Sequence, residues 1–160
     1  MKFTVEQQVL DLGVKIRGVQ ITGVNNYAYT KELHNYLENH IESLFHDESK
    51  EAIKENIIIQ GFYDLHKKVN IPRRKNPPAS ENLLLTLIKK QGFFYINPIV
   101  DIYNIISMET KLALGAHDMN KIKGHICLKL TQGNENYVPL GQEKPKEVVP
   151  NVYSYIDDAK

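Results

Sequence analysis

The chain has 160 residues, 42% hydrophobic and 24% charged, with a formal net charge of +1; this suits one domain with its own apolar core and excludes an intrinsically disordered chain. The near-neutral balance decides nothing about nucleic acid, because a basic groove can sit on a neutral protein. A single cysteine, Cys127, excludes an internal disulfide and a multi-cysteine zinc site, and the absence of a secretory pattern or a long apolar window makes the cytoplasm the expected location, with no membrane partner.

Val14, Ile16, Val19 and Ile21 alternate with polar neighbours, which predicts a strand over 14–24 with Gly18 as a bulge. Thr30 is the expected N-cap of an amphipathic helix carrying Leu33, Leu37, Ile41, Leu44 and Phe45 at spacings of three and four. Asp47 or Ser49 opens a second helix through Ile53 and Ile57 toward Leu65, although Ile57-Ile58-Ile59 reads equally as strand. The stretch from His66 to Pro78 is a breaker region, with Pro72, Pro77 and Pro78 and the basic residues Lys67, Lys68, Arg73, Arg74 and Lys75. Ser80 is expected to cap the next helix, with Glu81 in its first turn, Leu83, Leu84, Leu87 and Ile88 on its apolar face and Gly92 as its stop.

Asn97-Pro98 is a clear start signal, a capping side chain followed by proline at the first helical position, for a helix to about Thr110. From Gly124 the period changes to two, with Ile126, Leu128 and Leu130 on one face and His125, Cys127 and Lys129 on the other. Gly133-Asn134 offers a hairpin turn into a second strand over Tyr137 to Leu140. A charged loop around Pro145 and a last extended segment from Val148 to Ile156 complete the chain. Helices first and hairpins late define an α+β class, with a mixed, largely antiparallel sheet and helices packed on it.

The helix from Asn97 to Thr110 is apolar nearly all round, the mark of a buried helix. Asn97, Asp101, Asn104 and Ser107 nevertheless share one narrow stripe. Two readings stand: the stripe faces solvent or holds loops by hydrogen bonds, or it lines a polar pocket.

The run Asn97-Pro98-Ile99-Val100-Asp101-Ile102-Tyr103-Asn104-Ile105-Ile106-Ser107, preceded by Ser80-Glu81-Asn82-Leu83-Leu84 and followed by Asp118, Lys121-Ile122, Gly124 and Leu140-Gly141, resembles the B3/4 editing domain of the phenylalanyl-tRNA synthetase β subunit. The resemblance covers roughly Ser80 to Asp158 and is closer to stand-alone proteins built around this domain. It implies a single domain over 1–160, with an N-terminal strand and helices over 1–79 and the editing-like core over 80–158. It also implies a pocket for the aminoacyl end of a tRNA, a place in translation, and no cofactor. In the synthetase that pocket hydrolyses tyrosine wrongly attached to phenylalanine tRNA. Asn104 matches an asparagine lining the pocket, and Asp101 and Ser107 are carried with it as substrate-binding candidates.

The chain departs from the synthetase pattern in two places. Where the synthetase has a histidine eleven residues after the asparagine, this chain has Gly115 within Leu114-Gly115-Ala116-His117-Asp118. His117 lies two residues on, on the same side of an extended stretch, and is the candidate general base. Backbone N–H groups of Leu114, Gly115 and Ala116 are candidate oxyanion donors. The second departure is at Asp157-Asp158-Ala159-Lys160, where the resemblance implies more sheet and an acidic pocket residue; three readings stand, a sheet that lacks an edge strand, a chain shortened at its C-terminus, or a sheet completed by a partner.

Lys67, Lys68, Arg73, Arg74 and Lys75 form the candidate RNA-binding run, with Tyr63 as a ring on which a base would stack; the alternative is a solvated loop. No HExxH, EF-hand, Walker or dinucleotide pattern occurs, so no metal or nucleotide phosphate loop is expected. Cys127 sits mid-strand and reads as passive. The leading expectation is a tRNA- or RNA-binding protein, with aminoacyl-tRNA hydrolysis in trans as the activity it would carry. The alternative is a non-catalytic module holding an amino acid or small polar ligand in the same pocket.

Overall fold

The structure, a computed structural model, describes residues 2–73, 76–139 and 141–159. In chain order the elements are β1 (Phe3–Val5), α1 (Gln7–Asp11), α2 (Lys31–Asp47), α3 (Lys50–Glu55), α4 (Ile57–Lys68), α5 (Ala79–Lys90), α6 (Pro98–Thr110), β2 (Ile126–Leu130), β3 (Asn136–Tyr137), β4 (Lys146–Glu147) and β5 (Tyr153–Asp157). The class is α+β with a mixed three-stranded sheet, as the sequence leads one to expect. Two compact units form: a sheet unit of Met1–Arg17, Leu65–Ile71 and His117–Lys160, and a helical unit of Gly18–Asp64 and Pro72–Ala116.

The helical unit is built by local signals. Thr30 Oγ1 accepts the Leu33 N–H at 3.1 Å and opens α2. Ser49 Oγ accepts the Ala52 N–H at 3.1 Å and opens α3. The single helix expected from there toward Leu65 is broken at Asn56, whose backbone is extended. The Asn56 side chain accepts from Ile58 at 3.0 Å and from Ile59 at 3.4 Å, so it starts α4 as a new helix. The isoleucine run is therefore helical, with Ile59 buried and Ile57 in solvent.

Ser80 is not the cap of α5. It lies inside the first turn after Pro78, fully buried, and its hydroxyl donates to the Lys111 carbonyl at 2.8 Å. A buried hydroxyl needs a partner, and the carbonyl at the end of α6 supplies it. The α5 helix ends at Gln91 in the left-handed region, one residue before the expected Gly92. Asn97 caps α6 by accepting the Val100 N–H at 3.1 Å, with Pro98 first in the helix, as predicted. Helix α6 packs against both α2 and α5. Leu37, Ile41, Leu44, Ile53, Ile59, Leu84, Leu87, Ile105 and Met108 form one core. Truncating a wholly buried member such as Leu37 costs about 2–5 kcal/mol by general experience of such cavities.

The strand expected over 14–24 is absent. Val19 and Ile21 are 85% and 68% exposed, and the segment joins no ladder among the described residues. Alternation marks an extended chain, but a strand also needs a neighbour to accept its hydrogen bonds. The first strand is instead Phe3–Val5, which pairs parallel with β2, Phe3 opposite Ile126 and Val5 opposite Leu128.

In the sheet unit the order is β1-β2-β5, and β2 is central. Ile126 and Leu128 turn inward, as their alternation predicts. The partner of β2 differs from expectation. Gly133-Asn134 does not fold the chain back as a hairpin onto β2; β3 pairs with β4, and β2 pairs antiparallel with β5, Ile126 opposite Asp157. Thr131 sets that register: its N–H donates to Val152 O at 2.9 Å, its hydroxyl donates to Val149 O at 2.6 Å, and its oxygen accepts the Val152 N–H at 3.0 Å. The expected strand reaching Leu140 is only Asn136–Tyr137, and Leu140 lies outside the described residues.

Candidate functional site

Two clefts stand out, one in each unit. The sheet cleft, about 790 Å³, is walled by the His117–Ile122 loop, by the whole of β5, and by Asn136, Tyr137 and Glu147 of the β3–β4 ribbon. The loop is turned by Asp118, whose carboxylate accepts the Asn120 N–H at 3.0 Å and whose carbonyl accepts the Lys121 N–H at 2.9 Å. His117 is exposed, its ring edge-on to Tyr155 at 5.3 Å between centroids. Burial raises the pKa of the Tyr153 and Tyr155 phenols, which keeps them neutral hydrogen-bonding groups.

Glu135, 3% exposed, lines the same cleft. Burial pushes its carboxyl up, but the N–H groups it accepts from Gln132 and Gly133, with Lys129 Nζ at 3.8 Å, outweigh burial and leave its pKa lowered. It is an ionised clasp on the loop after β2. At the end of β5, Asp157 accepts the Lys123 N–H at 2.8 Å and Asp158 accepts the His125 N–H at 3.2 Å. Gly124 sits between these contacts at φ +67, and a Cβ there would lie 1.8 Å from Asp158 Oδ2, so any other residue would be strained and would displace the Asp158 carboxylate.

The helical cleft, about 250 Å³, lies between α5 and α6 and contains Asn104. Leu83, Leu87 and Met108 line it, together with Phe93, Phe94 and Ile96 from the segment after α5.

The predicted stripe on α6 divides. Asn97 is spent on its own helix cap. Asp101 is wholly buried, accepting the Ile96 N–H at 3.0 Å and the Tyr29 hydroxyl. Ser107, 1% exposed, donates to the Leu112 carbonyl at 2.5 Å. Of the four, Asn104 alone lines a cleft. His117 and Asn104 therefore belong to different clefts. Leu114, Gly115 and Ala116 line neither of the two; Leu114 is half-buried, and a Cβ on Gly115 would meet open space.

In the basic run, Lys68 Nζ donates to the Leu12 carbonyl at 2.7 Å, and Lys67 is exposed in the last turn of α4. The Arg73 guanidinium lies 3.9 Å over the centre of the Tyr63 ring. Tyr63 is 4% exposed and its hydroxyl donates to Glu81, so it is not a platform for a base. Arg74 and Lys75 lie outside the described residues. Sequence reasoning missed Tyr153, Tyr155, Asn82 and Phe93-Phe94; an aromatic pair just past a helix stop was the one available signal for the last. Among the described residues, no group of three or more His, Cys, Asp or Glu side chains is placed to hold a metal ion, and no helix is long and apolar enough to cross a membrane.

A family model described as the B3/4 domain matches residues 68–160, more than half of the chain. The chain belongs to this family, whose domain is found in the phenylalanyl-tRNA synthetase β subunit, and that gives it a context in translation. The match begins at Lys68, upstream of Ser80, and so takes in the breaker region as well as the expected core. No curated protein and no solved structure matches the chain.

Proposed function

We propose that the sheet cleft takes the aminoacylated 3′ end of a transfer RNA and that the protein hydrolyses the ester in trans, releasing a wrongly attached amino acid. The observation that carries this reading is His117, exposed on the wall of the larger cleft and inside the family-matched stretch. The cleft volume falls in the roughly 300–1,000 Å³ range of small-ligand sites. Tyr153 and Tyr155 offer ring faces to a terminal base, and Lys121 offers a cation to a phosphate.

The chemistry is ester hydrolysis. The His117 imidazole takes a proton from a bound water, and the water oxygen attacks the ester carbonyl carbon. The tetrahedral oxyanion collapses, the carbon–oxygen bond to the ribose breaks, and the ribose oxygen takes the proton back from the imidazolium. The products are free amino acid and uncharged tRNA. Lys67, Lys68 and Arg73 serve the RNA backbone in this reading. Lys68 holds one carbonyl but has three donors, and a guanidinium stacked on a ring keeps its N–H edges for phosphate.

The test incubates the protein with mischarged and correctly charged phenylalanine tRNA and measures deacylation and binding together. Deacylation should exceed the protein-free rate, and His117→Ala should slow it by about 10²–10⁴-fold. A rate equal to the protein-free one sinks the hydrolase reading. Binding that is absent, or indifferent to salt, sinks the RNA reading, because phosphate contacts weaken as salt rises.

A further inference from the structure

Strand β5 is the outer strand of its sheet, and its far side is open. The Thr131 N–H donates to Val152 O at 2.9 Å, and the register continues with Lys129 opposite Ser154 and Cys127 opposite Ile156. In an antiparallel ladder, alternate residues turn both backbone groups toward the same neighbour. Val152, Ser154 and Ile156 therefore spend theirs on β2, while Tyr153, Tyr155 and Asp157 point their N–H and C=O groups the other way. Among the described residues no strand lies on that side, and no other backbone group bonds to those three. Both alternating sets of β5 residues line the sheet cleft, so the cleft runs along this edge rather than over one face of the strand. Edge strands are commonly blunted by proline, lysine or a bulge. Tyr153-Ser154-Tyr155-Ile156-Asp157 has none of the three.

We propose that this edge takes up an extended basic peptide of a partner protein as an added strand. Its outward N–H and C=O groups, repeating every second residue, match a peptide of about five residues. The His117–Ile122 loop and the β3–β4 ribbon wall the groove in which that peptide lies. Charge selects the occupant. Among the described residues, Asp118, Glu147 and Asp157 line the cleft against the one lysine, Lys121, while Glu135 is already matched by Lys129 Nζ at 3.8 Å. The N–H groups of Lys123 and Ala159 hold the Asp157 carboxyl below its usual range, so it is charged at neutral pH. Lysine or arginine side chains on the added strand meet these carboxylates, and acidic ones are repelled. The inference goes beyond the ester reading, for it needs neither RNA nor hydrolysis; a bound peptide would compete with a tRNA end for the same cleft.

The experiment titrates the intact protein with an acetylated and amidated peptide of alternating valine and lysine, with its glutamate-for-lysine counterpart, and with the lysine peptide N-methylated on every backbone nitrogen. Backbone amide signals are followed by NMR, amide exchange by mass, and affinity by calorimetry. The lysine peptide should shift the Tyr153, Tyr155 and Asp157 amides and slow their exchange by about tenfold or more at saturation. It should bind about tenfold tighter than the glutamate peptide, by an advantage that shrinks as salt rises. The N-methylated peptide, which has no N–H to give, should not bind. Tyr155→Pro removes an outward N–H that the β2 ladder does not use, so it should abolish binding at an unchanged melting temperature. Glu147→Gln, at an exposed position, should weaken the lysine peptide alone. Four results overturn the surface: the lysine peptide leaves the β5 amides unmoved, the N-methylated peptide binds as well, the glutamate peptide binds as tightly, or the same amides are protected without peptide as protein concentration rises, which would assign the edge to a second copy of the chain. Peptide pairing without deacylation upholds this surface and removes the hydrolase; deacylation with the β5 amides unmoved by peptide does the reverse.

Discussion

Asp101 shows how one side chain changes meaning when its surroundings are known. It is wholly buried, and it takes the Ile96 N–H that leads into α6 together with the Tyr29 hydroxyl. Burial, then the Asp101 carboxylate, pushes the Tyr29 phenol up to about 12, so Tyr29 stays a donor throughout the neutral range. Removing the carboxylate would take the acceptor from both the Ile96 N–H and the Tyr29 hydroxyl, at a general cost of about 1.5–3 kcal/mol for a hydrogen bond to a charged group. His66 carries the clearest dependence on pH. It is buried beside Tyr153, and burial lowers its pKa from the ordinary 6.5. The folded state thus favours neutral imidazole while the unfolded chain binds a proton more readily. The contribution to stability is complete above about pH 6.5 and is lost as pH falls through the lowered value. Melting temperature measured across this range should drop on the acid side, and His66→Phe should flatten that drop; an unchanged acid-side slope in the variant would remove His66 as its cause.

At the scale of elements, the helices were legible because their signals are local. Thr30, Ser49 and Asn97 each cap a helix with their own side chain, and α6 starts at Pro98 and ends at Thr110 where its sequence says it should. Asn56 is hard to recognise from sequence, because a cap inside an apolar-periodic run looks like an ordinary polar position. Strands were harder to read. The alternation over 14–24 was stronger than that of Phe3–Val5, yet only the latter has a partner. Since Val19 and Ile21 stand in solvent, Val19→Lys and Ile21→Lys should each change stability by no more than about 0.5 kcal/mol. Denaturant unfolding checks this, and a loss of several kcal/mol would mean that the segment is paired in solution.

At the scale of the whole chain, the two units are each stitched from non-contiguous segments. Within the sheet unit, β2 is hydrogen-bonded on both sides, to β1 and to β5. Amide exchange should therefore be slow in β2 and in the core-facing turns of α2 and α6, and fast over 14–24, which lies in no ladder. Slow exchange over 14–24 would contradict the fold as described.

By itself the sequence determined the α+β class, the helix starts, the inward face of β2 and the family. These rest on spacing and on capping chemistry within a few residues, or on a motif read residue by residue. The tertiary structure alone decided which strands pair, because a strand's partner is chosen by register and by distant clasps such as Thr131 on Val149 and Val152. It also decided that the polar stripe of α6 serves mainly to hold loops, and that Asn104 and His117 line different clefts. Spacing puts side chains on a common face, but what each one meets there depends on residues far away in the chain.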